Sequence, residues 1–227
     1  MKLSIVMPVY NEIGTIDEIL ARVRAVPLDK EIIVVDDCST DGTRAHLERY
    51  ADDPVIRVFH HDRNCGKGRA IRTALQQVTG GVVVIQDADL EYDPADLPGL
   101  LAPIERGEAR VVCGSRHLGP GRPCAVSPYY LGGKFLNWLT CRIYRIHLTD
   151  AATCYKMIET DLLRSLDLRC ERFEFCAEVI AKLAKRGIPI LELPISYAPR
   201  DKQAGKKLRW WDGFGVLWTL LRCKLAR

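Results

Sequence analysis

No apolar run in this chain is long enough to cross a bilayer. The longest charge-free stretch of the tail, residues 213–221, falls far short of the ~20 residues a spanning helix needs. No secretory leader is read either, because Met1-Lys2 leads straight into a short apolar strand. The nine cysteines contain no C-x-x-C pair and their number is odd. They read as packed thiols in a reducing compartment, not as a disulfide framework or a zinc site. No RNA-recognition signature or regular aromatic platform appears, and there is no internal repeat. Acid is missing altogether from residues 109–149, where Arg110, Arg116, Arg122, Lys134, Arg142 and Arg145 all lie. The tail, residues 206–227, carries six basic residues and one acid, Asp212. A mild net charge of +4 distributed this way points to anionic partners: phosphates, an anionic membrane surface or nucleic acid.

What is present is a chain of 227 residues whose apolar and charged fractions are those of an ordinary folded protein. That length suits one large α/β domain, or one domain with a small appendage. Short apolar runs at 3–7, 31–35, 55–59, 82–85 and 110–113 predict strands. Ile16, Ile19, Leu20 and Val23 follow at helical spacing, a second helix runs to about residue 50, and Ile71, Ala74, Leu75 and Val78 mark a third. Strands alternating with helices predict parallel strands joined by right-handed crossovers. Later come helices near 131–146 and 172–185 and a strand around 190–195.

The most informative segment is Gln86-Asp87-Ala88-Asp89-Leu90-Glu91, where the buried Val82–Ile85 run ends. Ligands in open α/β sheets sit at the carboxyl ends of strands. Alternate residues of an extended segment point the same way, so Asp87, Asp89 and Glu91 can converge. Crowded carboxylates call for a cation, and hard oxygen ligands suit Mg²⁺ or Mn²⁺, whose remaining positions commonly take substrate phosphates. The alternative is an acidic turn leading into a helix at Asp93-Pro94. Asn64-Cys65-Gly66-Lys67-Gly68-Arg69 opens the third helix with glycines that permit close approach to an anion, or is a loop with a solvated Lys67; it is neither a Walker A loop nor a Rossmann fingerprint.

Four segments stand in order: Pro8-Val9-Tyr10-Asn11-Glu12, Val34-Val35-Asp36-Asp37-Cys38-Ser39-Thr40-Asp41-Gly42-Thr43, Gly66-Lys67-Gly68 and Gln86-Asp87-Ala88-Asp89. Together they resemble glycosyltransferase family 2. Gly114-Ser115-Arg116 and Pro194-Ile195-Ser196-Tyr197, with Arg200 and Lys206-Lys207, narrow the resemblance to the dolichyl-phosphate (polyprenyl-phosphate) mannosyltransferase branch. The resemblance implies a GT-A type α/β fold, a mostly parallel twisted sheet flanked by helices, with a catalytic domain over 1–205. It also implies an inverting transfer of a hexose, mannose favoured, from a nucleotide sugar such as GDP-mannose to a polyprenyl or dolichyl phosphate. By motif, Pro8, Tyr10, Glu12, Val35 and Asp37 would hold the nucleoside. Asp87, Ala88 and Asp89 would meet ribose and diphosphate, and Asp89 with Glu91 would bind Mg²⁺ or Mn²⁺. Asp89 and Arg116 would be catalytic, Arg116 and Lys134 would face the acceptor phosphate, and Arg200 with Lys206 would close over the diphosphate. The sequence departs from the branch at Cys38, where glycine is usual, at Glu91, and at Asp150-Ala151-Ala152-Thr153-Cys154-Tyr155-Lys156. These departures leave open a UDP-sugar donor with a lipid or soluble acceptor. A more remote alternative is a non-catalytic module binding nucleotide sugars or RNA.

Leu131, Phe135, Trp138, Ile143 and Ile146 recur near helical spacing with Lys134, Arg142 and Arg145 between them, on a helix that faces the core or the acceptor. In the tail Leu208, Trp211, Phe214, Trp218, Leu221 and Leu225 fall at steps of three and four. Residues 206–227 therefore read as a basic amphipathic helix lying in a membrane interface, with packing on the domain as the alternative. The expected location is the cytoplasmic membrane face, peripheral, with room for a separate membrane subunit and no nucleic-acid partner.

Overall fold

A computed structural model describes residues 1–118, 128–200 and 212–225. Seven strands form one sheet: β1 (Leu3–Val9), β2 (Lys30–Asp36), β3 (Ile56–His60), β4 (Val82–Ile85), β5 (Val111–Ser115), β6 (Lys156–Glu159) and β7 (Leu191–Pro194), in the order β3-β2-β1-β4-β6-β5-β7. The pairs β1–β2, β1–β4, β2–β3 and β5–β7 are parallel, as the alternation of elements predicts. β6 was not expected from the sequence. It is inserted between β4 and β5 and runs antiparallel to both.

The central strands carry apolar, largely β-branched side chains on both faces, which is why they read as unbroken apolar runs. Ile5, Met7, Ile32, Val34, Val82 and Val84 pack into the core of one face, with α1 (Ile16–Ala25) and α4 (Leu97–Glu105). Val6, Ile33, Val35, Val83 and Ile85 alternate onto the other face, against α3 (Lys67–Leu75), α6 (Thr160–Ser165) and α7 (Phe175–Lys185). α2 (Thr43–Leu47) continues as a 3₁₀ turn to Tyr50.

The two remaining helices, α5 (Pro128–Tyr144) and α8 (Asp212–Leu225), pack on one another and near α7. Tyr144 donates its hydroxyl proton to the Leu220 carbonyl at 2.6 Å. Leu220 and Cys223 are buried with Tyr144, Ala177 and Ala181 in a third apolar cluster. One face of α8 thus packs on the domain, while Phe214, Trp218, Leu221 and Leu225 remain exposed. Leu131, Phe135 and Trp138 of α5 are exposed as well, and the Phe135 and Trp138 rings stack at 6.0 Å. Among the described residues no helix is long and apolar enough to cross a membrane. Arg122, Lys206, Lys207, Leu208 and Trp211 lie outside the described residues, as does the expected boundary at 205–206.

Candidate active site

The polar segments singled out in the sequence leave the sheet at the carboxyl ends of β1, β2, β4 and β5, with the glycine loop following β3 and the Tyr197 segment following β7. The parallel register sets Pro8 beside Val35 and Val9 beside Asp36. Three of the turns there pass through left-handed backbone at a non-glycine residue: Asn11 (φ 52°), Cys38 (φ 64°) and Leu90 (φ 62°). Such corners are uncommon outside glycine and concentrate where a loop must present side chains to a site. The geometry explains why glycine is usual where this chain has Cys38. The first two loops are tied together. Asn11 Oδ1 accepts from the Thr40 amide at 2.7 Å, and the Glu12 amide donates to the Thr43 hydroxyl at 3.0 Å.

After β4 the carboxylates crowd together. Burial, followed by the neighbouring Asp87 and Glu91 charges, pushes the Asp89 carboxyl up to about 7. Asp89 Oδ1 accepts only an amide, that of Glu91, at 3.1 Å among its described hydrogen bonds. Glu91 accepts from the Tyr197 hydroxyl at 3.0 Å and from the Arg200 amide at 3.1 Å, one on each oxygen. Each carboxylate oxygen has a second lone pair, so both groups keep acceptor capacity. An acid whose charge is disfavoured by burial and by neighbouring carboxylates is a site that a divalent cation would relieve, and an all-oxygen donor set suits Mg²⁺ or Mn²⁺. Asp87, Asp89 and Glu91 do not by themselves close a cage. Among the described residues the three donors that converge within 4.8 Å are instead Asp37, His61 and Cys65.

The segment after β7 folds over these acids. Tyr197 bridges to Tyr92, and the Ala198 amide donates to the Glu91 carbonyl at 2.9 Å. Arg200 then reaches across the site: its Nε donates to the Asp89 carbonyl at 2.6 Å and its Nη2 to Glu12 at 2.9 Å. Three expected donor-site residues, Glu12, Asp89 and Arg200, are thereby in direct contact.

Arg116, at the end of β5, forms a two-pronged ion pair with Asp150, Nε to Oδ2 at 2.7 Å and Nη2 to Oδ1 at 2.8 Å. Its guanidinium also lies 5.2 Å from the centre of the Tyr197 ring. Burial opposes the charge on Asp150, but Arg116 outweighs it and holds that carboxyl below the usual carboxylate range. Lys134 is exposed, with its ammonium 5.0 Å from the Tyr130 ring, and Tyr130 in turn stands edge-on to His117 at 5.9 Å. Lys134 is thus linked through the Tyr130 and His117 rings to the residue that follows Arg116.

Two sequence readings need correction. The glycine loop before α3 turns two of its amides inward and not toward an outside anion. The Cys65 and Gly66 amides donate to Asp37, at 2.8 and 2.7 Å. Its glycines are required by packing, since a Cβ on Gly66 would lie 2.5 Å from the Glu171 carbonyl oxygen and one on Gly68 2.6 Å from that of Cys170. Nor is Lys67 solvated: its ammonium pairs with Asp87 at 2.6 Å and touches Cys154 Sγ at 3.0 Å. Other expected binding residues lie inside. Val35 is wholly buried in the core and Ala88 nearly so, so their side chains do not line an open site. Pro8 and Tyr10 are half-buried at the end of β1. Lys206 is outside the described residues. Asp150 and Tyr197 were not assigned roles from the sequence. The available signal for Asp150 was that it is the first acid after the acid-free stretch.

The model of the family "Glycosyl transferase family 2" matches residues 4–163. The chain is 29% identical, over an alignment of 259 positions with gaps, to an undecaprenyl-phosphate mannosyltransferase of Micrococcus luteus, covering 100% of both. It is 25% identical to a dolichol-phosphate mannosyltransferase of Pyrococcus furiosus, with 91% of this chain covered. It spans only 49–62% of the length of that protein and three other curated relatives. In three dimensions it resembles glucosyl-3-phosphoglycerate synthase from Mycobacterium tuberculosis, solved with Mn²⁺, UDP and phosphoglyceric acid. There the TM-score is 0.75 at 21% identity, covering 100% of this chain and 79% of that one. The matched motifs and the sheet agree, and the chain belongs to glycosyltransferase family 2, with a GT-A type fold.

Proposed function

We propose that the protein is a metal-dependent, inverting hexosyltransferase that moves mannose from GDP-mannose to a polyprenyl phosphate at a membrane surface. The observation that carries this reading is the apposition of Asp89 and Glu91 with Arg200 on one side and the Arg116–Asp150 pair on the other, at the carboxyl ends of β4 and β5. A full-length relative named for undecaprenyl-phosphate mannosyl transfer supports the acceptor class.

A phosphomonoester has its second pKa near 6, so a polyprenyl phosphate is already a competent oxyanion near neutral pH and needs no strong base. Its oxygen attacks the anomeric carbon as the bond from that carbon to the diphosphate oxygen breaks, which inverts the configuration. Mg²⁺ or Mn²⁺, when bound, would neutralise charge on the departing diphosphate. Asp89 and Glu91 would hold that ion. Arg200 would supply positive charge on the donor side and Arg116 beside the transferring groups, aimed where charge develops. Asp150 orients Arg116. The acid-free stretch with Lys134 would let the acceptor phosphate approach without repulsion, and the exposed Phe214, Trp218, Leu221 and Leu225 of α8 would rest in the headgroup layer.

The test is transfer by the purified protein from GDP-mannose, UDP-glucose and other nucleotide sugars to a polyprenyl phosphate, with the product's anomeric configuration read by NMR. The expected product is a β-mannosyl phosphate lipid, formed only with Mg²⁺ or Mn²⁺. Transfer from UDP-sugars alone would replace the donor assignment. Absence of lipid product from every donor would defeat the reading.

A further inference from the structure

The donors that converge most tightly lie beside the carboxylate site, not in it. Asp37 follows β2, and His61 begins and Cys65 nearly ends the loop between β3 and α3; one ligand atom from each falls within 4.8 Å of the others. His61 Nδ1 is 2.7 Å from Asp37 Oδ1, and its Nε2 is 2.9 Å from the Thr73 hydroxyl. Thr73 thus fixes the ring from behind, the arrangement that orients metal-binding imidazoles elsewhere. Asp37 is buried, while His61 and Cys65 are half-buried, so an ion can enter from solvent.

We propose that Asp37, His61 and Cys65 form a second metal site, one for Zn²⁺ or a similar thiophilic ion, distinct from the Asp89–Glu91 site. A thiolate, an imidazole and one carboxylate are a donor set for zinc and a poor one for magnesium. Tetrahedral zinc holds such donors about 3.3–3.6 Å apart, given bond lengths of about 2.0–2.3 Å. The ion takes the place of the proton shared by Asp37 and His61, these two separate slightly, and the Cys65 sulfur moves in after losing its proton. Water completes the shell. The absence of C-x-x-C spacing argued against zinc in the sequence, but these ligands come from two loops, Asp37 from one and His61 with Cys65 from the other.

The site is coupled to the transferase centre through one short loop. Asp37 also accepts from the Cys65 and Gly66 amides, and the next residue, Lys67, pairs with Asp87. An ion drawing on the Asp37 oxygens competes with those amides and loosens the support of Lys67. Zinc is therefore a brake on transfer. That consequence rests on the proposed function, while the binding does not.

The test uses the full chain. Cobalt(II) added to the wild type is expected to give a near-ultraviolet thiolate-to-cobalt band, displaced by Zn²⁺. The band should vanish in Cys65→Ser and survive in Cys38→Ser, which removes a thiol next to Asp37 in sequence but outside the triad. Affinity should fall at least about tenfold in Cys65→Ser, as when a metal site loses even an outer-shell partner. In the wild type alone, Zn²⁺ should slow alkylation of Cys65, read by peptide mass spectrometry. No band, a band unchanged in Cys65→Ser, or Cys65 alkylation indifferent to Zn²⁺ would each overturn the site. With Mg²⁺ saturating, Zn²⁺ should slow wild-type transfer and spare Cys65→Ser; equal inhibition of both removes the brake. If no transfer is found at all, the proposed function fails and the cobalt and alkylation results still judge the metal site.

Discussion

Arg116 and Asp150 are 34 positions apart and form a buried two-pronged ion pair beside the candidate site, with Asp150 also accepting the Arg116 amide at 3.1 Å. The Asp150 side chain is 2% exposed and that of Arg116 21%. Arg116 is thus both a candidate catalytic group and the counter-charge of a buried carboxylate.

Arg116→Ala is accordingly expected to cost folding as well as transfer. Removing one partner of a buried pair costs about 3–5 kcal/mol, and partial exposure of Arg116 places this one toward or below the lower end. Arg116→Lys keeps the charge but loses the fork, so it should fold better and still transfer poorly. Urea unfolding together with kcat for both variants checks this. Equal losses of stability in the two would contradict the counter-charge role.

Asp89 predicts a pH dependence of unusual sign. Its folded carboxyl lies at about 7 against an ordinary value of 3.8, so between those values the folded protein binds the extra proton. Stability of the metal-free protein should therefore fall as pH rises from about 4 to 7. Asp89→Asn should flatten that slope, raise the melting temperature at pH 7.5, and lower transfer by at least about 10²-fold. Melting curves across pH with chelator present are the measurement. A slope unchanged by the substitution would show that Asp89 does not carry it.

Cys38 sits at φ 64°, a conformation that costs roughly 1–2 kcal/mol for a residue with a Cβ. Cys38→Gly relieves that strain but frees the unfolded chain by about 0.4–1 kcal/mol, so a small net gain is expected. Cys38→Val should destabilise by more than about 1 kcal/mol, since a β-branched residue fits this backbone worst. Thermal melts of the two variants order them, and a valine variant as stable as the glycine one would refute the argument.

On α8, Phe214 is 64% exposed and Trp218 67%. The double replacement Phe214→Ser, Trp218→Ser should weaken sedimentation with anionic liposomes several-fold while shifting stability by about 0.5 kcal/mol or less per site. Salt should weaken but not abolish binding by the wild type, because the apolar contribution is not screened. Deleting the helix is a poorer experiment, since it uncovers the face that buries Leu220 and Cys223. Liposome binding equal to wild type in the double variant would mean that α8 serves only the domain.

The elements nearest the site were legible where local chemistry and topology point the same way. Val82–Ile85 is β-branched throughout and runs into alternating carboxylates, and both the strand and its exit stand where the pattern puts them. β6 was not legible. It has four residues, begins with the wholly buried Lys156, and owes its place to strands far away in sequence. Amphipathic spacing in the tail marked a helix with an apolar face, yet could not say that Thr219, Leu220 and Cys223 would turn inward while Trp218 stayed out.

The sequence by itself determined the alternation of strands and helices, the order of the motifs, and hence the family and the edge of the sheet where charged residues gather. These are local properties, written in side-chain periodicity and in the residues that follow each strand. Only the tertiary structure decided which charge meets which. Lys67 takes Asp87, Arg116 takes Asp150, Arg200 takes Glu12, and the glycine loop takes Asp37 in place of an outside anion. The pairs stand 20, 34 and 188 positions apart, and no short-range pattern encodes them. They form because burial makes an unpartnered charge costly, so each one settles on the opposite charge or amide that the packed sheet brings within reach.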